Sequence, residues 1–482
     1  MPNPVPVSMG RGSKTARQGQ GGLALFENFY VEDLGEQGKT SFTAQAINGW
    51  GQWANTTETK RSHCMLPVGN LLLAAVGEKL FSIALDGVTV TEVAGIPGNG
   101  FITMAANRKT PDPQVAIVRN GLYYLFQAGM LTQGADTDLP PPLVVLEILG
   151  YFVFLIQDGR FFVSETNDAG IDPTSYAEAE SSVDRNVMGA VRGRTLIIFG
   201  ERTAEFWDIN GNAVFPFGYT AGINMGCYLA SSVQNLVVQQ GNSASDTVIW
   251  AATDRKGAFA GIYMLNGYTP VLISNDRVTR LIRDEPLKSE IWSMAFTEDG
   301  HPFYVIGGST FTETFDGKTN EWHTRSSKNQ RFWNATSHAH FGDKVLFGHA
   351  SNGKIYVSRN DLLDEDGQEI TCRIQPPPIH MFPRRFQVPK VYLDVITGVG
   401  VNSSVETDAN PKMFVDYSKD GGRSWSMQRS FEMGAMANDA KRIKITGLGR
   451  FNHNGLTLRA SCSARVVKAV QQLAIEAVPL GA

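Results

Sequence analysis

Charge is scarce in this chain: Asp, Glu, Lys and Arg together make up 19% of 482 residues, and the balance is −4. A fold that grips nucleic-acid phosphates needs a surplus of Lys and Arg to displace condensed counterions. That surplus is missing, which argues against tight DNA binding. Cysteine is scarce too. Cys64, Cys227, Cys372 and Cys462 are widely separated and form no CxxC pair, which excludes a zinc ribbon or thioredoxin-like motif; they read as isolated small hydrophobes. No run of eighteen apolar residues occurs, and the first residues, with Arg11, Lys14 and Arg17, contain no apolar core. Neither a membrane-spanning helix nor a secretory leader is expected. Also lacking are GxGxxG, a P-loop, Gly-x-Ser-x-Gly and HExxH, so no enzymatic chemistry, cofactor or metal is expected.

What the chain has in quantity is glycine and aromatics: 49 Gly, 27 Phe, 13 Tyr and 8 Trp, with 42% hydrophobic residues. This is the composition of a turn-rich, all-β protein. From Cys64 onward a theme recurs, in which a short apolar strand, a glycine turn, an aromatic strand and a polar connection follow one another. Examples are Leu71 to Ile83, Val115 to Phe126 turning at Asn120-Gly121, Val153 to Val163 turning at Asp158-Gly159, and Leu196 to Ile209. Further copies are Val248 to Leu265, Pro302 to Trp322, and Val345 to Val357 turning at Asn352-Gly353. Asn-Gly and Asp-Gly between apolar runs mark hairpins, because a type I′ turn needs positive φ at both central residues. Seven units between about 64 and 368 give roughly 44 residues each, the size of a propeller blade. A β-propeller of about seven blades is expected.

Residues 1–24, rich in Gly, Pro and Ser and mildly basic, read as a flexible N-terminal arm, and 25–370 as the propeller with its lead-in. Gln375-Pro376-Pro377-Pro378, with Pro383 and Pro389, reads as a proline-rich linker over 371–389, since proline cannot donate to a ladder. Over 390–482 about five strands are expected to form a small antiparallel β-sandwich. Arg442-Ile443-Lys444-Ile445 alternates and should expose one face.

The stretch from Asp158 to Asn212 carries a more specific signature. An Asp158-Gly159 turn leads into Phe161, Phe162 and Val163, then Ser164 and a polar loop with Asp172-Pro173 and Tyr176-Ala177-Glu178; after Gly189 come strands Leu196 to Phe199 and Glu205 to Asp208. This order resembles the packaged-DNA stabilisation protein family of short-tailed bacteriophages. There too, a strand ending in Ser or Thr leads through a Pro-x-x-Tyr-Ala loop to a strand pair of the form (I/V)xFG…EFW. The resemblance implies a structural virion protein, a tail hub or nozzle component assembled in the host cytoplasm and present in six copies below the head-to-tail adaptor. It also implies contacts to tail fibres or tailspikes and to a needle or plug, genomic DNA as a non-specific passenger, and a C-terminal module. Asp172, Pro173, Tyr176 and Glu178, in the loop Asp168 to Asn186, are the candidate interface residues, with Thr132 to Pro142 a second such loop, because recognition usually sits on loops of a rigid scaffold.

Three further motifs compete with this reading. Ser418, Asp420, Gly422 and Trp425 fit the Asp-box pattern Ser-x-Asp-x-Gly-x-(Ser/Thr)-Trp, a hairpin in which Asp and Ser satisfy the turn backbone while Trp packs beneath. Sialidases carry such boxes, which raises the alternative of a carbohydrate-active or sugar-binding propeller. However, a single box outside the repeats supplies no catalytic set, and Phe382-Pro383-Arg384-Arg385 departs from the sialidase Phe-Arg-Ile-Pro motif. His338 and His340 share a strand face, with His349 and Asp343 nearby; a polar hairpin is expected rather than a metal site. Asp364, Glu365 and Asp366 lack EF-hand spacing and read as a solvated acidic turn.

Overall fold

Asn120 and Gly121 both have positive φ, 50° and 74°, and join Val115–Arg119 to Leu122–Gln127 with Arg119 opposite Leu122. That is the two-residue hairpin which the Asn-Gly pair favours. The computed structural model describes residues 3–15, 23–134, 136, 138–178, 184–212, 215–240 and 243–480. Antiparallel sheets of this kind repeat seven times. Blade 1 runs from Ser62–Val68 to Val90–Gly95, blade 2 from Ile102–Ala106 to Met130–Gln133, blade 3 from Pro142–Ile148 to Ile171–Glu178, and blade 4 from Asn186–Arg192 to Phe217–Ile223. Blade 5 lies between Gly226–Cys227 and Thr269–Leu272, blade 6 runs from Trp292–Glu298 to Glu321–Thr324, and blade 7 from Ala335–Phe341 to Lys354–Arg359. The innermost strands lie side by side around an axis, and Ala335–Phe341 against Ser62–Val68 closes the circle. Blade 7 takes its fourth strand, Gly49–Asn55, from the other end of the repeat, so the ring is latched by hydrogen bonds between distant segments.

The longest helix among the described residues is Asp276–Asp284, capped by Asn275, whose side chain accepts from the Arg277 and Val278 amides. Between blades the core is aromatic, with Phe152, Phe154, Phe161, Phe199, Phe206 and Trp250 fully buried.

Both chain ends build the sandwich. One sheet orders Phe29–Asp33, Phe42–Ala46, Ala469–Pro479, Phe386–Val395 and Ile443–Phe451, with Val5–Val7 added to Ala469–Pro479. The other orders Leu23–Glu27, Cys372–Gln375, Thr457–Cys462, Lys412–Ser418 and Arg429–Glu432. Leu23–Glu27 also touches Glu321–Thr324 through the pair Glu27 and Thr324, so blade 6 and this sheet are continuous. In Ile443–Phe451, Ile443 and Ile445 are buried while Lys444 is exposed, as the alternation requires.

Four expectations are corrected here. The described part of the segment 1–24 is not a flexible arm: Met9 and Ser13 are buried, and Ser13 Oγ both accepts from Phe26 N and donates to Phe26 O. Arg11 pairs with Asp33 at 2.5 Å and Lys14 with Glu321 at 3.4 Å, while Arg17 lies outside the described residues. The lead-in over 25–46 belongs to the sandwich, and only Gly49–Asn55 enters the propeller. The segment 371–389 is not a free linker: Cys372–Gln375 and the start of Phe386–Val395 are strands of opposite sheets, joined by residues 376–385; Pro376–Pro378 follow the end of Cys372–Gln375, and Pro389 sits at a register shift between Val388 and Lys390, where a missing N–H costs least. Cys372 and Cys462 are not isolated; they are register partners across adjacent strands, both as free thiols.

Candidate interface surfaces

Residues 172–178, expected in an irregular loop, belong to Ile171–Glu178, the outermost strand of blade 3. Tyr176 pairs with Phe162 across the ladder and stacks on its ring at 5.2 Å. Arg160 covers both rings, at 5.5 Å and 5.7 Å, and is itself fixed by Asp158, to which its Nε and Nη2 donate at 2.9 Å and 2.7 Å. Tyr176 is therefore an anchored ring with an exposed side. Asp172 accepts from the amide and hydroxyl of Thr174, at 2.8 Å and 2.6 Å, which holds its carboxyl below the usual range. Pro173 falls where the ladder shifts register between Phe162 and Ser164, a bulge on an edge strand that accommodates proline. Glu178 is exposed opposite Arg160. The second expected loop begins in strand: Met130–Gln133 is the outer strand of blade 2.

The same rim position in the next two blades is also apolar. Tyr219 is exposed on Phe217–Ile223, as are Val271 and Leu272 on Thr269–Leu272. Each of these strands ends its sheet and presents an unpaired row of backbone donors and acceptors. Single-residue periodicity could not reveal this band, because its members are contributed by separate blades.

The Asp-box residues form one closed turn. Ser418 Oγ accepts from the Gly422 amide at 2.8 Å and donates to Asp420 at 2.7 Å; Asp420 accepts from the Arg423 and Ser424 amides at 3.0 Å and 2.9 Å and from the Ser424 hydroxyl. These donors hold the Asp420 carboxyl well below the usual carboxylate range. Trp425 lies against the turn at Gly422 but is half-buried rather than part of the core, with the Arg459 guanidinium 4.1 Å from its ring centre.

His338 and His340 do share a face, their rings 5.6 Å apart and perpendicular. Burial, then His340, pushes His338 down to about 3, so it is neutral at physiological pH. His349 is engaged elsewhere, accepting from the Ser351 amide at 3.0 Å, and Asp343 pairs with Lys344 at 2.7 Å. Among the described residues no group of three or more His, Cys, Asp or Glu side chains is placed to hold a metal. The acidic turn needs correction. Asp364 and Asp366 pair with Arg465 and Lys354, but Glu365 is 6% exposed and accepts from the Trp333 indole N–H. The strand alternation through Asp364–Glu365, unread in so short an acidic run, points it inward.

Residues 68–362 match the family described as "Bacteriophage P22 Gp10, beta-propeller", and residues 380–476 match "Bacteriophage P22 Gp10, beta-sandwich". The chain belongs to the P22 Gp10 family. This is a packaged-DNA stabilisation family of short-tailed phages, and its members are structural proteins of the phage tail. The two matches fall on the two architectures, although the Gp10 sandwich match does not include the N-terminal strands that complete that domain here. No curated protein matches the chain. Among solved structures, the computationally designed Ika8 protein is 13% identical with a TM-score of 0.38, covering 64% of this chain and 99% of that one. The WD40 β-propeller domain of Doa1 is 8% identical with a TM-score of 0.39, covering 64% and 97%. A chain of the mitotic checkpoint complex is 10% identical with a TM-score of 0.36, covering 64% and 89%. Scores this low add nothing to the fold described above.

Proposed function

We propose that the protein is a hub or nozzle component of a short phage tail, six copies of which assemble below the head-to-tail adaptor in the host cytoplasm. The ring extends the channel for genomic DNA, helps retain the packaged genome, and supports attachment of tail fibres or tailspikes and of a needle or plug. The observation that carries this reading is the P22 Gp10 family match over both propeller and sandwich. The role is one of surface matching, without chemistry. A net charge of −4 suits a wall past which DNA slides without being held.

Neighbouring copies or tail partners meet, on this reading, along the outer strands of blades 2 to 5. These carry Met130, Tyr176, Tyr219 and Leu272 exposed on sheet edges, whereas the edge of blade 6 is already occupied by the sandwich. Electron microscopy of the purified protein mixed with virions stripped of their tails tests the proposal. Sixfold ring density below the neck is expected; a monomer bound elsewhere, or no binding, sinks it.

A further inference from the structure

One mouth of the propeller axis is a cavity of about 1050 Å³. Its wall is built by the starts of the innermost strands of blades 1, 2, 6 and 7 and the segment before that of blade 5, and its charges are unequal. Five cationic side chains face three carboxylates: Lys60, Arg61, Lys79, Arg119 and Lys288 against Glu58, Glu78 and Glu290.

The engaged members can be set aside. Lys79 pairs with Glu58 at 3.2 Å, and the Lys288 ammonium donates to the carbonyls of Ile282, Arg283 and Glu285. What remains is an arginine pair with few partners. Arg119 is 2% exposed; its Nη1 donates to the carbonyls of Gly77 and Ile96, both at 2.8 Å, while its Nε is buried without a partner. Among the described residues no carboxylate forms an ion pair with it; Glu78 on the same wall only offsets part of its charge from a distance. Arg61 Nε is likewise buried and unpartnered, and among the described residues the one ion pair of Arg61 reaches Glu290 at 3.3 Å, a side chain 52% exposed. Lys60, exposed at the rim, has no ion pair among the described residues. His63 sits beside both arginines, and burial followed by their charge pushes it down to about 4; it is a neutral donor or acceptor at physiological pH.

Buried charge without a counter-charge is costly, and a guanidinium fork matches the oxygens of a carboxylate or phosphate. We propose that this mouth binds an oxyanion, held by Arg61, Arg119 and Lys60. The shared chemistry has two sources, a free phosphate or the carboxylates of an acidic peptide segment of a partner protein. The inference stands on charge and burial and is independent of the tail reading.

Calorimetric titration of the full chain at constant ionic strength tests it, with inorganic phosphate in one arm and a hexaglutamate peptide in the other. Saturable binding of phosphate assigns a free ion; saturable binding of the peptide alone assigns an acidic segment; both support the site. Lys60→Ala, at an exposed position, and Arg61→Gln should each weaken binding about tenfold, the scale of one lost charge-assisted hydrogen bond. Circular dichroism would verify that each variant is folded. Absence of saturable binding in both arms, or unchanged affinity in both folded variants, overturns the proposal.

Discussion

Trp333 donates its indole N–H to the Glu365 carboxylate at 2.9 Å, and both residues are buried. Trp50, from the strand that latches blade 7, stacks on Trp333 at 5.2 Å, and the guanidinium of buried Arg325 lies 4.8 Å from the same ring. Burial outweighs the hydrogen bonds and the Arg325 charge, and raises the Glu365 carboxyl to about 7. A raised carboxyl contributes stability that is fully present below its unfolded value, near 4.5, and lost as pH rises through 7. Glu365→Gln, which keeps an acceptor for Trp333, should therefore match the wild type at pH 4 and exceed it by about 3 kcal/mol at pH 8. Urea unfolding of both proteins across that range checks this; parallel stability curves would refute it.

Trp425 is half-buried under Arg459, so its removal loses a cation–π contact and part of an aromatic face rather than a core side chain. Trp425→Ala is expected to cost about 1–2 kcal/mol, well below the 3–5 kcal/mol typical of a fully buried aromatic. A loss above that range in chemical denaturation would mean that the ring is more deeply packed than this arrangement allows.

The depressed Asp420 carboxyl has the opposite sign to Glu365. Its stabilisation is present above the unfolded value, near 4, and is lost as pH falls through the lower folded value. Asp420→Asn should flatten the acid limb of the stability profile below pH 4, whatever its effect at neutral pH. An acid limb of unchanged steepness would show that the turn does not depend on the ionised carboxylate.

Much of the propeller was legible because each blade is local: strand, glycine turn and aromatic strand lie within one stretch, and Asn120-Gly121 announces its own geometry. The latch was not legible, since nothing in Gly49–Asn55 states that its partner lies near Lys354. Nor was the sandwich edge, because Val5–Val7 and Leu23–Glu27 pair with strands hundreds of residues away. Composition misled at both ends for one reason. Proline and glycine signal broken ladders, yet here Pro376 lies beyond a strand end and Pro389 at a shift, so the strands survive. The rim band and the arginine pair at the axial mouth escaped because each gathers residues from separate blades.

Truncation tests the corrected reading of the N-terminus. Met9 joins one continuous core with Ile445 and Leu473 of the sandwich and with Trp292, Phe296 and Trp333 of blades 6 and 7. Deleting residues 1–15 should remove an edge strand and open a cavity at Met9, costing more than about 2 kcal/mol. Because the core is shared, sandwich and propeller should unfold in one transition, not two. An unaltered denaturation midpoint in the deletion would restore the picture of a loose arm, and two separated calorimetric peaks would show that the core is divided.

The rim tests the assembly proposal at a small cost in stability. Leu272 is 53% exposed and Tyr176 41% exposed, on edge strands of blades 5 and 3. An exposed position such as Leu272 tolerates substitution to within about 0.5 kcal/mol, and Tyr176, which also gives up its stacking on Phe162 and the Arg160 contact, costs about 1 kcal/mol, whereas an aromatic or aliphatic anchor buried at a contact costs 2 kcal/mol or more when a charge replaces it, by the usual behaviour of interface hot spots. Leu272→Asp and Tyr176→Glu should therefore melt within a few degrees of the wild type yet fail to fill the tail. Mass spectrometry of particles assembled with each variant would report occupancy, and nuclease sensitivity would report genome release. Reduced occupancy with released DNA is the expected pair of results. Full occupancy in both variants would remove the outer strands of blades 3 and 5 from the contact surface and leave the sandwich edge at Arg429–Glu432 as the place to look.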